Sequence, residues 1–423
     1  MAQLTDDCFA FSGPLMPLDE AERLIRERVS PVAETETVPL IEARDRVMAA
    51  DVRAPVSLPP FDNSAVDGYA VRHADLTPDA ETALTVTERV LAGHGSAVTL
   101  ASGAAVRIFT GAPMPAGADT VFMQEDVRVD GARVVVPPGL KPGANRRLAG
   151  EDIAAGDVAL SAGTLLGAQH IALAAAVGLT SLPVRRRLRV AIFSTGDEVV
   201  EPGAARGPSA IFDANRYLLR EMLARFGCTV SDLGILRDDP AVLAAALREA
   251  AARHDLVLTS GGVSTGEADH MRDALAGVGA LTFWRLGIKP GRPVAMGVIQ
   301  SAGGQQAAFV GLPGNPVAAF VTFARVVRPL LLQLAGAQSP APEPMSVVAA
   351  FSYRKKKGRR EYVRVSLRRR ADGDHDAIKH PQDGAGIITS LTQTDGLLEL
   401  PDDMTELKPG MRVGFLSYAA LLG

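Results

Sequence analysis

The sequence predicts a multidomain protein of the α/β plus β class, with a central doubly wound α/β domain, an inserted small β domain and a C-terminal small β domain. Three observations carry that expectation. Strand-like and helix-like segments alternate from 187 to 334. Between about 55 and 150, short β-type runs are punctuated by Gly and Pro clusters. After a Pro/Ala/Ser stretch at 338–344, the tail alternates in β fashion around Tyr362, Val363 and Val365. At 423 residues and 47% hydrophobic, the chain is too long for one ordinary core and apolar enough for several. The expected boundaries are 15–54 plus 151–186 for an N-terminal domain, 55–150 for the inserted β domain, 187–337 for the α/β domain and 338–423 for the last β domain.

Taken in order, Leu18, Ala21, Leu24, Ile25 and Val29 recur at helical spacing, with Asp19 placed as an N-cap. The run 165–184 is apolar but interrupted by Gln169, His170, Gly178 and Pro183, and reads as a short buried helix ended by Gly178 rather than as a membrane span. From 188 the order is a strand to Phe193, a helix from Asp213 to a stop at Gly227, and a strand 229–236. An Ala-rich helix 240–252, a strand 255–259 and a helix 268–276 follow. Apolar runs near Leu281, Val294 and Ala307 lead to a helix 317–334. This is the pattern of a mostly parallel, doubly wound sheet.

Composition excludes some classes of function. Basic and acidic residues number 44 and 48, leaving a net charge of -4, so no global positive field favours nucleic acid. Cys8 and Cys228 are far apart and lack metal-ligand spacing, which argues against a disulfide framework or structural zinc and for two reduced thiols. The N-terminus has no basic region followed by an apolar run, so the expected location is cytoplasmic, with no membrane association.

The residues able to do chemistry sit where an open α/β sheet presents its crevice, after the strands. Ser194-Thr195-Gly196-Asp197-Glu198 follows the first, Arg237-Asp238-Asp239-Pro240 the second, and Ser260-Gly261-Gly262-Val263-Ser264-Thr265-Gly266-Glu267-Ala268-Asp269 the third. Carboxylates gathered at one edge repel unless a cation sits among them, so Glu198, Asp238 and Asp269 together point to Mg²⁺ and a phosphate-bearing substrate, although each alone reads as an N-cap or solvated turn residue. The Ser-Gly-Gly loop offers small residues and backbone N–H groups to an oxyanion. Lys289-Pro290-Gly291-Arg292-Pro293 sets two cations around a rigid turn, and Leu312-Pro313-Gly314-Asn315-Pro316 makes another stiff turn into a helix. In the inserted region, the segment from Pro59 to Ala70, Ile108-Phe109-Thr110-Gly111-Ala112-Pro113 and Gly150-Glu151-Asp152-Ile153 mix stiff, small and acidic residues in ways packing does not require.

Together the strings PPFDNSAVDGYA, STGDE, SGGVSTGEAD, IKPGRP and GLPGNP, in this order over nearly the whole chain, resemble the molybdopterin molybdotransferases, the family that includes the C-terminal enzyme domain of gephyrin. The resemblance implies a homodimer of elongated four-domain subunits, dimerised through the N-terminal domain. It implies that the substrates are molybdate and adenylylated molybdopterin, that the products are AMP and molybdenum cofactor, and that Mg²⁺ is required. A molybdopterin adenylyltransferase would supply the substrate and is the expected protein contact. By matching motif, the site residues are Asp67, Thr110, Asp152, Glu198, Asp238 and Asp269, the last three holding the metal. Ser260, Gly261, Gly262, Ser264, Pro313, Pro316 and Gly384 are expected to line the substrate. Lys289, Arg292 and Arg359 of the KKKGRRE stretch are expected to meet molybdate. Two departures stand out: Arg285 replaces a common Lys, and Ala385 replaces a common Ser in Gln382-Asp383-Gly384-Ala385-Gly386. The competing readings are the adenylyltransferase itself, which shares a Ser-Gly-Gly α/β domain, and a noncatalytic gephyrin-like scaffold.

Overall fold

The computed structural model describes residues 15–32, 34–95, 99–261, 270–338 and 341–422. Cys8, Gly262, Ser264 and Asp269 lie outside the described residues.

The α/β region is a six-stranded sheet in the order Thr229–Leu236, Arg189–Thr195, Leu256–Ser260, Gln306–Leu312, Pro293–Gln300, Gly279–Arg285. Alternate residues of the second strand go to opposite faces. Val190 and Ile192 pack with Leu219, Leu223 and the helix from Pro316, whereas Ala191 and Phe193 pack with Leu243, Leu247 and Met271. Helices therefore cover both faces, and the strand Leu256–Ser260 is buried at every position, which is why it reads as a continuous apolar run. Each fully buried Leu or Ile there contributes about 1.5–3 kcal/mol relative to exposure.

The first three pairings are parallel and the last two antiparallel, so five strands run one way, as the mostly parallel expectation has it, and only Pro293–Gln300 is reversed. The reason is connection length. Residues 301–305 form a tight turn closed by Ser301 N–H to Gln305 O at 2.8 Å, and a short connection can only return a strand antiparallel.

Three local expectations are corrected. The first helix is Leu18–Arg28 with Pro17 at the N-cap; Asp19 lies in the first turn, and both its carboxylate oxygens accept from Arg360, at 3.0 and 3.1 Å. The helix after 165 is Ala168–Ala176. It ends near Gly178 (φ 83°) as expected, but only Ala174 is fully buried, in a small core with Leu166, Leu182 and Val184 against which Ile171 and Leu173 pack half-buried. The long helix runs Pro316–Thr322, passes through a π-turn at Phe323–Val327, and continues as Arg328–Ala335. Pro329 has no N–H to give to that turn. Of the described helices this one alone is long and apolar enough to cross a membrane, and 83% of its apolar window is buried, so its surface is spent on the core.

Residues 68–136 build a second six-stranded sheet, ordered Thr120–Met123, Gly68–Val71, Ala104–Ile108, Thr82–Val90, Arg133–Val136, Arg128–Asp130. A third, from 345 to 417, centres on Arg360–Arg369. The turn strand Ile288–Lys289 leaves the α/β region and pairs in parallel with Arg360 and Glu361 of that sheet. This pairing fixes the two regions edge to edge.

Candidate functional site

Strand register gathers the candidate loops at one edge. Thr195 is opposite Leu236, Ser194 opposite Ser260, and Ser260 opposite Leu312, so the segments after these residues emerge side by side. Arg285 pairs with Pro293 at the same edge, bringing the Lys289 turn there too. The C-terminal sheet faces this edge with residues 382–388, and Val317 N–H donates to Ala385 O at 3.0 Å.

Two clefts flank that contact. The first, about 270 Å³, is lined by Ser194, Thr195, Glu198, Asn215, Ser260, Gly261, Gly314, Pro316 and Gly386, among others. Its wall is unusual in one respect. Ser194 Oγ, Thr195 Oγ1 and Asn215 Oδ1 are all buried and have no hydrogen-bond partner among the described residues, whereas buried polar atoms nearly always have one. Three such atoms on residues that line one cleft are an arrangement for a polar ligand. Ser260 plays a different part from the one expected: its hydroxyl accepts from Asn215 Nδ2 at 2.8 Å and donates to Pro313 O at 3.2 Å, locking the cleft wall together. The Gly261 N–H is also committed, to Leu312 O at 3.1 Å, so it is not available to an oxyanion. Gly261 is needed for close approach instead. Its φ is 91°, and a Cβ there would meet Thr195 O at 2.9 Å.

The second cleft, about 300 Å³, is lined by Lys289, Pro290, Gly291, Pro313, Tyr353, Glu361, Arg364, Asp383 and Ala385, among others. Lys289 lines this cleft and Arg359 reaches its wall, both on a carboxylate that motif reading assigned no role. Glu361 is 1% exposed; it accepts from Arg359 Nε at 2.6 Å and from the Tyr353 hydroxyl at 2.9 Å, with Lys289 Nζ at 3.4 Å. Burial, together with Glu361, holds the Tyr353 phenol well above its usual pKa, so it stays a donor. Arg364, 5% exposed, donates to Gln382 O and Gly384 O, both at 3.1 Å, and to Ser390 Oγ. It pins the Asp383–Gly386 loop by its carbonyls. Among the described residues the N–H groups of Gly384, Ala385 and Gly386 donate to nothing, which leaves them for an anion. Arg292 is exposed and does not line this cleft, because the turn aims Lys289 and Pro293 inward and Arg292 outward.

The acidic set separates into groups. Glu198 lines the first cleft, its carboxylate lying over Gly196. Asp238 is half-buried at the end of the neighbouring strand, and Asp239 beside it caps the helix Pro240–Arg253 by accepting from the N–H groups of Ala241 and Val242. Among the described residues no three metal-type ligands cluster. Asp67, Thr110 and Asp152 line neither cleft. Asp67 Oδ1 accepts from Thr110 N–H and Oγ1, both at 2.8 Å, and these bonds hold its carboxyl below the ordinary value. Asp152 is exposed, its N–H bonded to Leu58 O.

Asn215, Tyr353, Glu361 and Arg364 escaped motif reading. The only local signal was Glu361, which closes the KKKGRRE string; the others sit in ordinary amphipathic segments.

The chain matches three family descriptions in succession: MoeA N-terminal region (domain I and II) over 16–178, probable molybdopterin binding domain over 191–333, and MoeA C-terminal region (domain IV) over 346–418. It is 36% identical over 411 residues to a molybdopterin molybdenumtransferase of Haemophilus influenzae, covering 97% of this chain and 100% of that one. It is 38% identical over 387 residues to the protein of that name from Nostoc sp., covering 90% and 88%. The crystal structure of the molybdopterin biosynthesis moeA protein from Pyrococcus horikoshii OT3 superposes with a TM-score of 0.80 at 30% identity, covering 96% of this chain and 100% of that one.

Proposed function

The chain belongs to the molybdopterin molybdenumtransferase family, and on that premise we propose that it transfers molybdenum from molybdate to adenylylated molybdopterin, releasing AMP and molybdenum cofactor. It is a transferase of molybdenum cofactor biosynthesis. The observation that best supports the reading is the pairing of two unlike clefts across the Val317–Ala385 contact: one with unpartnered polar atoms in its lining residues, one that sets Lys289 and Arg364 beside the carboxylates of Glu361 and Asp383.

The polar cleft takes the phosphoanhydride end of the pterin nucleotide. Ser194 and Thr195 offer it hydroxyl donors; Asn215, whose Nδ2 is given to Ser260 Oγ and Gly314 O, turns an acceptor oxygen to a donor group of the nucleotide. The cationic cleft takes molybdate, a tetrahedral dianion. Lys289, Arg359 and the N–H groups of 384–386 supply donors to its oxygens, and Glu361 holds both cations at the cleft before the substrate arrives. Such preorganised donors stabilise charge that develops as the anhydride breaks.

Mg²⁺ suits the carboxylate oxygens that Glu198 and Asp238 bring to neighbouring strand ends, with Asp269 the third member by family motif. When bound, it would neutralise charge on the phosphoanhydride. Asp67, Thr110 and Asp152 reach the site from a second subunit of a homodimer, which accounts for their absence from both clefts of one chain. The enzyme works in the cytoplasm and receives its substrate from a molybdopterin adenylyltransferase.

The test is to incubate the purified chain with adenylylated molybdopterin, molybdate and Mg²⁺. AMP release and protein-bound molybdenum should rise together. Adenylyl transfer from ATP without molybdate would instead make it the adenylyltransferase, and neither activity would make it a scaffold.

A further inference from the structure

Away from both clefts, a cavity of about 170 Å³ lies at the hinge between the N-terminal segment and the α/β region. Its floor is apolar, from Leu165, Leu188 and Leu331, and its rim carries Arg46, Arg185, Arg186, Arg187, Arg225 and Arg328. The only acidic residue lining it is Asp45, whose carboxylate lies 3.5 Å from Arg44.

Two of these arginines are neutralised within the fold: Arg46 by Glu36, and Arg186 by Asp255 and Glu34. Others are not. Arg185 donates to Val32 O at 3.0 Å and Arg187 to Gly227 O at 2.9 Å, carbonyls that carry no charge. Arg328 stands out most. It is 8% exposed, its Nε is buried without a hydrogen-bond partner among the described residues, and its guanidinium lies over the Phe226 ring at 6.0 Å. The carboxylate whose field reaches it, Glu22, is bonded to Arg325 at 3.1 Å. A buried cation with no anion beside it is costly, and folds supply a counter-charge to such groups.

We infer that this hinge cavity is an anion site for a phosphoryl group, bound by Arg328 with Arg185 and Arg187. Guanidinium forks match the oxygens of a phosphoryl group, and the volume admits one tetrahedral oxyanion with a few waters. The apolar floor accepts the body of an esterified phosphate. The site is separate from the polar and cationic clefts and shares no lining residue with them.

The test titrates the full chain, in buffer free of phosphate and sulfate, with inorganic phosphate, pyrophosphate and AMP, by calorimetry and thermal shift. Saturable binding that raises Tm with concentration is expected. Only the part of each isotherm lost in Arg328→Met counts for this site, since AMP also leaves the polar cleft: tighter binding of AMP in that part identifies an esterified phosphoryl group as the ligand, and binding of phosphate or pyrophosphate alone identifies the free ion. Arg328→Met should weaken binding at least tenfold and, in anion-free buffer, raise Tm by removing an unpaired buried charge. Arg185→Gln should weaken it several-fold and keeps the question open to measurement if Arg328→Met does not fold. Binding should persist in Arg359→Ala. No saturable binding to the native chain, or undiminished binding in both hinge variants, would overturn the site. So would an Arg328→Met effect confined to dimer dissociation in sedimentation, which would mean that a second copy supplies the counter-charge.

Discussion

Glu361 Oε1 accepts a 2.6 Å hydrogen bond from Arg359 Nε while the carboxylate is only 1% exposed, so a buried anion holds a cation at the mouth of an anion cleft. Arg359 can exchange that bond for one to a tetrahedral dianion without moving far. A charge-assisted bond contributes about 1.5–3 kcal/mol. Arg359→Ala is therefore expected to raise the molybdate concentration for half-maximal turnover by roughly tenfold or more, with little change in affinity for the adenylylated pterin. Glu361→Gln should lower it, because Lys289 and Arg359 are then less neutralised. Steady-state titrations of each substrate check both; equal effects on the two ligands refute the assignment.

Asp67 titrates below its ordinary value because Thr110 donates both its N–H and its hydroxyl to the carboxylate. A lowered folded-state pKa stabilises the fold above the unfolded value of about 3.9, and that stability is lost as pH falls through the folded value. Asp67→Asn should therefore be less stable than the native chain at neutral pH, with the gap closing below about pH 4. Urea midpoints of both proteins across pH measure this. A gap that persists undiminished at low pH would assign the effect to packing.

Gly261→Ala places a methyl group 2.9 Å from Thr195 O at φ 91°. Strain of this kind costs about 1–3 kcal/mol. The expected result is a Tm lower by several degrees and slower turnover, since the strand ends carrying Ser194, Thr195 and Ser260 must separate. An unchanged Tm would mean that the edge is looser than its geometry.

Ala385 lines the cationic cleft beside Tyr353 and Lys289, and its carbonyl is tied to Val317 N–H. A hydroxyl added there can reach an anion without breaking that bond. Ala385→Ser should leave the molybdate response unchanged or tighten it. A steep loss of activity would remove this loop from the molybdate site.

If Asp67 serves the site of the other subunit, Asp67→Ala and Glu198→Ala proteins should each be inactive alone yet recover activity when unfolded together and reassembled. Random pairing makes about half the dimers hybrid, each with one intact site of two, so recovery should approach roughly a quarter of native activity. Recovery near zero, with hybrids shown to form by mass spectrometry, would place each site within one subunit.

The doubly wound region was legible because its signals are local. The period of apolar residues reports which face an element buries, and Val190/Ile192 against Ala191/Phe193 shows a strand whose two faces are both apolar. The motif strings likewise placed Ser260, Lys289 and Pro313 after strands, where parallel register brings them to one edge. The reversed direction of the strand Pro293–Gln300 was not legible, because periodicity does not distinguish parallel from antiparallel pairing; connection length does. What only the tertiary structure decided is which charged and polar groups meet. Lys289 finds Glu361 across the joint between two sheets, and Asn215 finds Ser260 across two strand ends. The same docking left Asp67 outside both clefts and Arg328 buried without a carboxylate. Hydrogen bonds and ion pairs act over a few ångströms in space, and residues dozens of positions apart reach that range only through the docking of whole elements, which no local string encodes.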